Sequence, residues 1–121
     1  MTQTTNSRME AACSLLAESE RRYLLYQLAE NRRGNLEEIV SRIAAWERDD
    51  SDQSIDADHR QRVYVSLAHN HLPRLADYDI IDYDLRSGDV VLKDGFDDIR
   101  PLLEQFTQTE EKPEIRERPL L

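Results

Sequence analysis

The chain of 121 residues carries 25 acidic and 16 basic side chains, a formal net charge of −9. That length suits one domain with a single core. No run of about 18 apolar residues is present to cross a membrane, and one cysteine, Cys13, rules out an internal disulfide or a cysteine-based zinc cage.

The basic residues divide into 14 Arg and 2 Lys, Lys93 and Lys112. An acidic surface poor in lysine suits a halophilic protein, because carboxylates hold water and cations in concentrated salt. The same acidity counts against nucleic-acid binding. In about 1 M salt, however, the Debye length is only about 3 Å, so the repulsion has short reach. The N-terminus lacks the apolar core of a signal peptide, and a cytoplasmic location is expected.

Residues 1–6 are polar and read as a disordered N-terminus. Ser7 with Glu10 makes a capping box opening a short helix, with Ala12, Leu15 and Leu16 as its apolar positions. Cys13 falls within it and reads as a small buried hydrophobe. Ser19 can cap a second helix reaching about Asn31, with Leu24, Leu25 and Leu28 on one face. Arg32-Arg33-Gly34 closes it, with Gly34 as the left-handed cap. The Arg21-Arg22 pair reads as structural, pairing with Glu18 or capping a neighbouring helix end, with phosphate contact the alternative.

Asn35 begins a third helix, with Glu38 as the reciprocal cap and Leu36, Ile39, Val40, Ile43 and Trp46 at helical spacing. Residues 48–55 read as an inserted acidic loop. A fourth helix covers about Asp58 to Leu75, with a buried stripe of Tyr64, Leu67, Ala68, His71, Leu72 and Leu75. Pro73 predicts a kink or early break there. Ile81, Tyr83 and Leu85 alternate with Asp82 and Asp84 as a half-exposed strand, Ser87-Gly88 turns the chain, and Val90 to Lys93 returns it. Phe96, Ile99, Leu102, Leu103 and Phe106 mark a last helix, with Pro101 near its first turn. From Thr107 the charged tail reads as disordered.

This order predicts a mainly α fold with a small β-hairpin: a winged helix-turn-helix domain over residues 7–106, with an additional C-terminal helix. In such a fold the fourth helix enters the major groove and the hairpin braces it. Arg60, Arg62, Ser66, His69 and Asn70 lie opposite the buried stripe as candidate DNA contacts. Arginine can bond guanine bidentately, asparagine can bond adenine, and serine or histidine can reach base or phosphate. The alternative is the wet face of an amphipathic helix, and for Arg60 a pairing with Asp56 or Asp58. Arg86 at the wing tip is a candidate phosphate or minor-groove contact, and Lys93 a weaker one. The wing's many Asp residues read as hydrated surface facing away from DNA.

His69 and His71 are two apart and point about 200° from each other on a helix, so they cannot share one metal ion. His71 reads as a core histidine. No nucleotide, metalloprotease or hydrolase fingerprint is present, so neither an enzyme nor a cofactor is expected.

The block RVYVSLAHNHLPRLADYDIIDYDLRSGDVVL (Arg62 to Leu92), preceded by LLAESERRYLLYQLAE (Leu15 to Glu30), resembles a haloarchaeal winged-helix domain of unknown function. The resemblance rests on Arg21-Arg22, the H-x-H-L-P-x-L segment His69 to Leu75, and the wing Tyr83 to Val90. It covers about residues 9–106. More distantly the chain is similar to ArsR- and MarR-type regulators. The resemblance implies DNA binding by analogy of fold.

Two functions follow as expectations. One is a DNA-binding transcriptional regulator, a homodimer through its first and C-terminal helices on double-stranded DNA. The other is a winged-helix protein-interaction module that does not bind DNA.

Overall fold

The computed structural model describes residues 2–47 and 57–110. Among the described residues, six helices and three strands run in the order α1 (Thr2–Leu16), α2 (Ser19–Asn31), β1 (Arg33–Asn35), α3 (Leu36–Glu47), α4 (Ala57–Ser66), α5 (Leu72–Asp77), β2 (Ile81–Asp84), β3 (Asp89–Leu92) and α6 (Gly95–Thr109). A π turn, Leu67–His71, joins α4 to α5 without a break. The fold is mainly helical with a small antiparallel sheet of order β1-β3-β2, and the β2–β3 hairpin forms the wing.

Several elements depart from the expected pattern. Helix α1 starts at Thr2, so the Ser7 position falls inside it and residues 2–6 are helical. Cys13 is exposed on α1, because the inward face of that helix is carried by Leu15 and Leu16. The left-handed residue ending α2 is Arg32, with φ 65°, and its N–H donates to Leu28 O at 2.7 Å. Gly34 instead belongs to β1, a strand hidden in what read as a helix cap. Its register sets Arg33 opposite Val91 and Asn35 opposite Asp89. Three residues are too few to show a period of two, so only the pairing with β3 reveals the strand.

Asn35 caps α3 as expected: its Oδ1 accepts from the N–H groups of Glu37 (3.0 Å) and Glu38 (3.4 Å). The Glu38 carboxylate lies 3.8 Å from Arg42 Nη2 along the helix. Leu36 N–H donates to Gly88 O at 2.6 Å and fixes the start of α3 to the base of the wing.

Pro73 does not break the fourth helix. A proline ring in a regular helix presses on the carbonyl four residues back. Here the preceding turn is widened, and Leu72 N–H reaches five residues back to Leu67 O. The wide turn admits the ring. On the buried side of this helix Val63 joins Leu67, Ala68, His71, Leu72 and Leu75, while Tyr64 is half-buried against the core.

The core lies where α2, α3, the long helix, the inner faces of β2 and β3, and α6 converge. Leu24, Leu28, Ile43, Leu67, Leu72 and Phe96 are fully enclosed. Pro101 sits inside α6 rather than at its first turn, and the helix extends to Thr109. The expected acidic loop, residues 48–55, lies outside the described residues, as does the tail from residue 111. Among the described residues no helix is long and apolar enough to cross a membrane, and no group of His, Cys, Asp and Glu could hold a metal ion.

Candidate nucleic-acid interface and the polar network beneath it

The seven candidate contacts divide by where their side chains go. Arg62 and His69 are exposed on the outer side of α4 and the π turn, and Arg86 is exposed at the wing tip. None of these three side chains has a hydrogen-bond or ion-pair partner among the described residues. Asn70 is also exposed, but its Oδ1 accepts from Arg74 Nε at 3.0 Å, which leaves its amide N–H groups outward. The wing tip is set by its own turn: Arg86 N–H donates to Asp84 Oδ1 at 2.9 Å, and Gly88 takes φ 82°. A side chain at Gly88 would be strained in that conformation and would also approach Asn35.

The other three are engaged elsewhere. Arg60 lies half-buried, with Nη2 donating to Ser41 Oγ at 2.7 Å and standing 3.9 Å from Glu37 Oε1. It therefore holds α4 to α3. Ser66 Oγ donates to Glu20 Oε1 at 3.0 Å, so its hydroxyl is turned into the molecule. Lys93 Nζ is 3.6 Å from Asp79 Oδ1 at the exposed surface. Helical periodicity locates residues on a face but does not show which long side chain bends back to a neighbouring helix.

Two exposed residues on the same helix were missed from sequence. Val65, 41% exposed, follows Arg62 by three residues and precedes His69 by four, so the helical wheel already placed it in that row. Arg74 holds Asn70, an i, i+4 relation that the spacing also contained.

Under this surface lies a polar network. Arg21 and His71 are buried, 6% and 3% exposed. Arg21 Nε donates to His71 Nδ1 at 2.9 Å, which places the imidazole proton on Nε2, 3.1 Å from Glu20 Oε1. Arg21 Nη1 also donates to the carbonyls of Ser14 and Leu15, and Arg22 Nη1 donates to that of Leu16 at 2.7 Å. The Arg-Arg pair thus caps the C-terminal end of α1, as its reading as a structural pair expected.

Burial tends to raise the Glu20 pKa, but hydrogen bonds from His71, Glu47 and Ser66 prevail and bring it down to about 2. Glu47 moves the other way. Burial first, then the neighbouring Glu20 carboxylate, push it up to about 8. His59 Nε2 of α4 lies 3.5 Å from Glu47 Oε1.

A family model matches the chain from Cys13 to Val91. The chain belongs to the family described as Domain of unknown function (DUF7344). No curated protein and no solved structure matches the chain. The DUF7344 match takes in α2 through β3 almost entirely and stops short of α6, although Phe96 of α6 is fully enclosed in the same core.

Proposed function

We propose that this DUF7344 chain is a winged-helix transcriptional regulator of a halophilic cell that reads double-stranded DNA with α4 and the π turn and braces it with the wing. The observation that carries the reading is the exposure of Arg62, His69 and Arg86 with no side-chain partner among the described residues. A long cationic side chain left free at two points, each fixed to α3 by Arg60–Ser41 and by Gly88–Leu36, fits a groove contact flanked by a backbone contact. Arg60, Ser66 and Lys93 drop out of the contact set, because each already has a protein partner.

A homodimer on a two-fold site extends the proposal. Between α1 and α6 runs an open groove of about 920 Å³, lined by Met9, Ala12, Leu15, Tyr78, Ile99 and Leu102. Met9 and Tyr78 are exposed there. Both helices expected to carry a second copy therefore present apolar surface.

The test is occupancy of chromosomal sites by the tagged protein, with binding to recovered fragments measured in molar potassium salt and in dilute buffer. Arg62→Ala and Arg86→Ala should each weaken binding about tenfold, the lower end of what a lost base or phosphate contact costs. Unchanged occupancy in the double variant would favour the protein-interaction reading. One observation supports that second reading directly. Glu37 and Glu38 are exposed in the first turn of α3, and Asp84 and Asp89 flank the wing tip, so carboxylates border the proposed contacts.

A further inference from the structure

We propose that Val65 is a specificity-determining residue: it packs on the methyl group of a thymine in the major groove, beside a guanine that Arg62 bonds. The inference rests on the DNA-binding reading above and adds to it the bases that are read.

Six residues separate Arg62 from His69, whose side chains have no hydrogen-bond or ion-pair partner among the described residues. Within that stretch Val63, Leu67 and Ala68 are buried, and Tyr64 packs against the core. Ser66 turns its hydroxyl inward to Glu20 Oε1 at 3.0 Å. Val65 is the side chain left facing outward, and it belongs neither to the core nor to the residues packed against it. Three residues after Arg62 and four before His69, it shares their side of the helix. Whatever surface those two side chains touch, Val65 touches with them.

A single exposed aliphatic side chain is ordinary on a protein surface. Its setting is what gives this one a meaning. Valine is a weaker helix former than the alanine or glutamate that an exposed helical position accepts, so neither packing nor helix formation accounts for it. The major-groove edges of the bases are hydrogen-bond donors and acceptors with a single apolar group among them, the thymine methyl. Against any other edge, Val65 would shut donors and acceptors off from water and offer them no partner, which disfavours those bases.

The spacing sets where the thymine lies. Three residues of α-helix advance about 4.5 Å, and one base step about 3.4 Å. Arg62 and Val65 therefore reach base edges about one or two steps apart. The guanidinium fork of Arg62 suits guanine O6 and N7. His69 stands one turn further along and continues the row beyond the thymine.

The experiment selects duplexes from a random library with the full chain in molar potassium chloride. Binding of wild type and Val65→Ser is then measured on a selected duplex and on copies in which each thymine in turn is replaced by deoxyuridine, which lacks only the methyl group. Selected duplexes should hold a thymine about one or two steps from a guanine. One replacement should weaken the wild type about fourfold, the worth of one buried methyl group, and should leave Val65→Ser unchanged. Val65 is exposed, so the variant should unfold at the wild-type urea concentration, and the deoxyuridine series on wild type needs no variant. If every deoxyuridine copy binds wild type as tightly as its parent, the inference falls while DNA binding stands. The same fourfold loss in Val65→Ser would assign the methyl to another residue and overturn it equally. Failure to retain any duplex, in dilute or molar salt, would sink the DNA-binding reading and this inference together.

Discussion

Arg22 and Glu110, 88 residues apart in sequence, meet through two parallel hydrogen bonds, Nε to Oε1 and Nη2 to Oε2, both 2.8 Å. Tyr26 O–H donates to the same Glu110 Oε1 at 2.7 Å, and the Arg22 guanidinium lies 4.7 Å over the Phe106 ring. The pair closes the end of α6 onto α2 while Arg22 also caps α1. Three helix ends thus share one side chain.

Breaking this latch should destabilise the fold measurably, because both partners are largely enclosed. Glu110→Ala and Arg22→Ala are each expected to cost about 2 kcal/mol in urea unfolding, the range for hydrogen bonds to charged groups. The double variant should cost clearly less than the sum, since the two changes remove one interaction. Hydrogen bonds from Arg22 hold the Glu110 carboxyl below its usual range against the opposing effect of burial. The latch is therefore complete above the ordinary carboxylate pKa and is lost as pH falls through the lowered one. Wild type and Glu110→Ala should converge in stability as the solution is acidified below about pH 4.

Gly95 should tolerate no side chain. A Cβ built there would lie 2.5 Å from Asp79 O and 2.7 Å from Tyr78 O, both backbone atoms with no rotamer to yield. The approach is closed by Gly95 N–H donating to Asp79 O at 2.9 Å, which starts α6 against the end of α5. Gly95→Ala is expected to destabilise by about 3 kcal/mol or more. Gly34→Ala should be milder, because its Cβ would meet Leu28 Cδ2 and Ile39 Cδ1, side-chain ends that can shift. Thermal melts of the two variants side by side check the order.

Arg60 and Arg62 are neighbours in sequence with opposite roles, and one pair of variants separates them. Arg60→Ala removes the hydrogen bond to Ser41 and loosens α4 from α3, so its unfolding free energy should fall by roughly 1 kcal/mol. Arg62→Ala removes no hydrogen bond or ion pair among the described residues and should leave stability within about 0.5 kcal/mol. On the proposed function the second variant, not the first, should lose DNA affinity beyond what its folded fraction explains. Denaturation and binding measured on the same preparations provide the check.

How far the fold was legible depends on the range of the interactions that define it. Asn35 as a cap, the Leu24, Leu25 and Leu28 face and the wing turn at Ser87-Gly88 are local features, and local patterning carried them. Strand β1 was invisible because its three residues are defined by Val90 and its neighbours across the sheet. Pro73 was legible as a disturbance but not as a π turn, since widening instead of breaking goes with Leu67 and Leu72 entering the core and His71 meeting Arg21 and Glu20, all distant in sequence. At the candidate site, exposure of Arg62 and Arg86 followed from position. The recruitment of Arg60 and Ser66 by Ser41 and Glu20 did not, because those partners lie 19 and 46 residues away. Glu20 and Glu47 carried no local signal at all.

The buried Arg21–His71–Glu20 chain makes the last prediction. Replacing His71 with leucine fills the volume but leaves Arg21 Nε without its acceptor and removes a donor from the Glu20 carboxylate. Stranding both ends of a buried charged network is costly, and His71→Leu should lose about 3 kcal/mol or more. The cost comes from the abandoned partners and not from the histidine itself. Removing the charges as well, in Glu20→Gln with Arg21→Met and His71→Leu, should therefore recover much of the loss. Urea unfolding of the single and triple variants distinguishes the cases: a triple variant no more stable than His71→Leu would mean that the network fixes helix geometry, and not merely that its charges need one another.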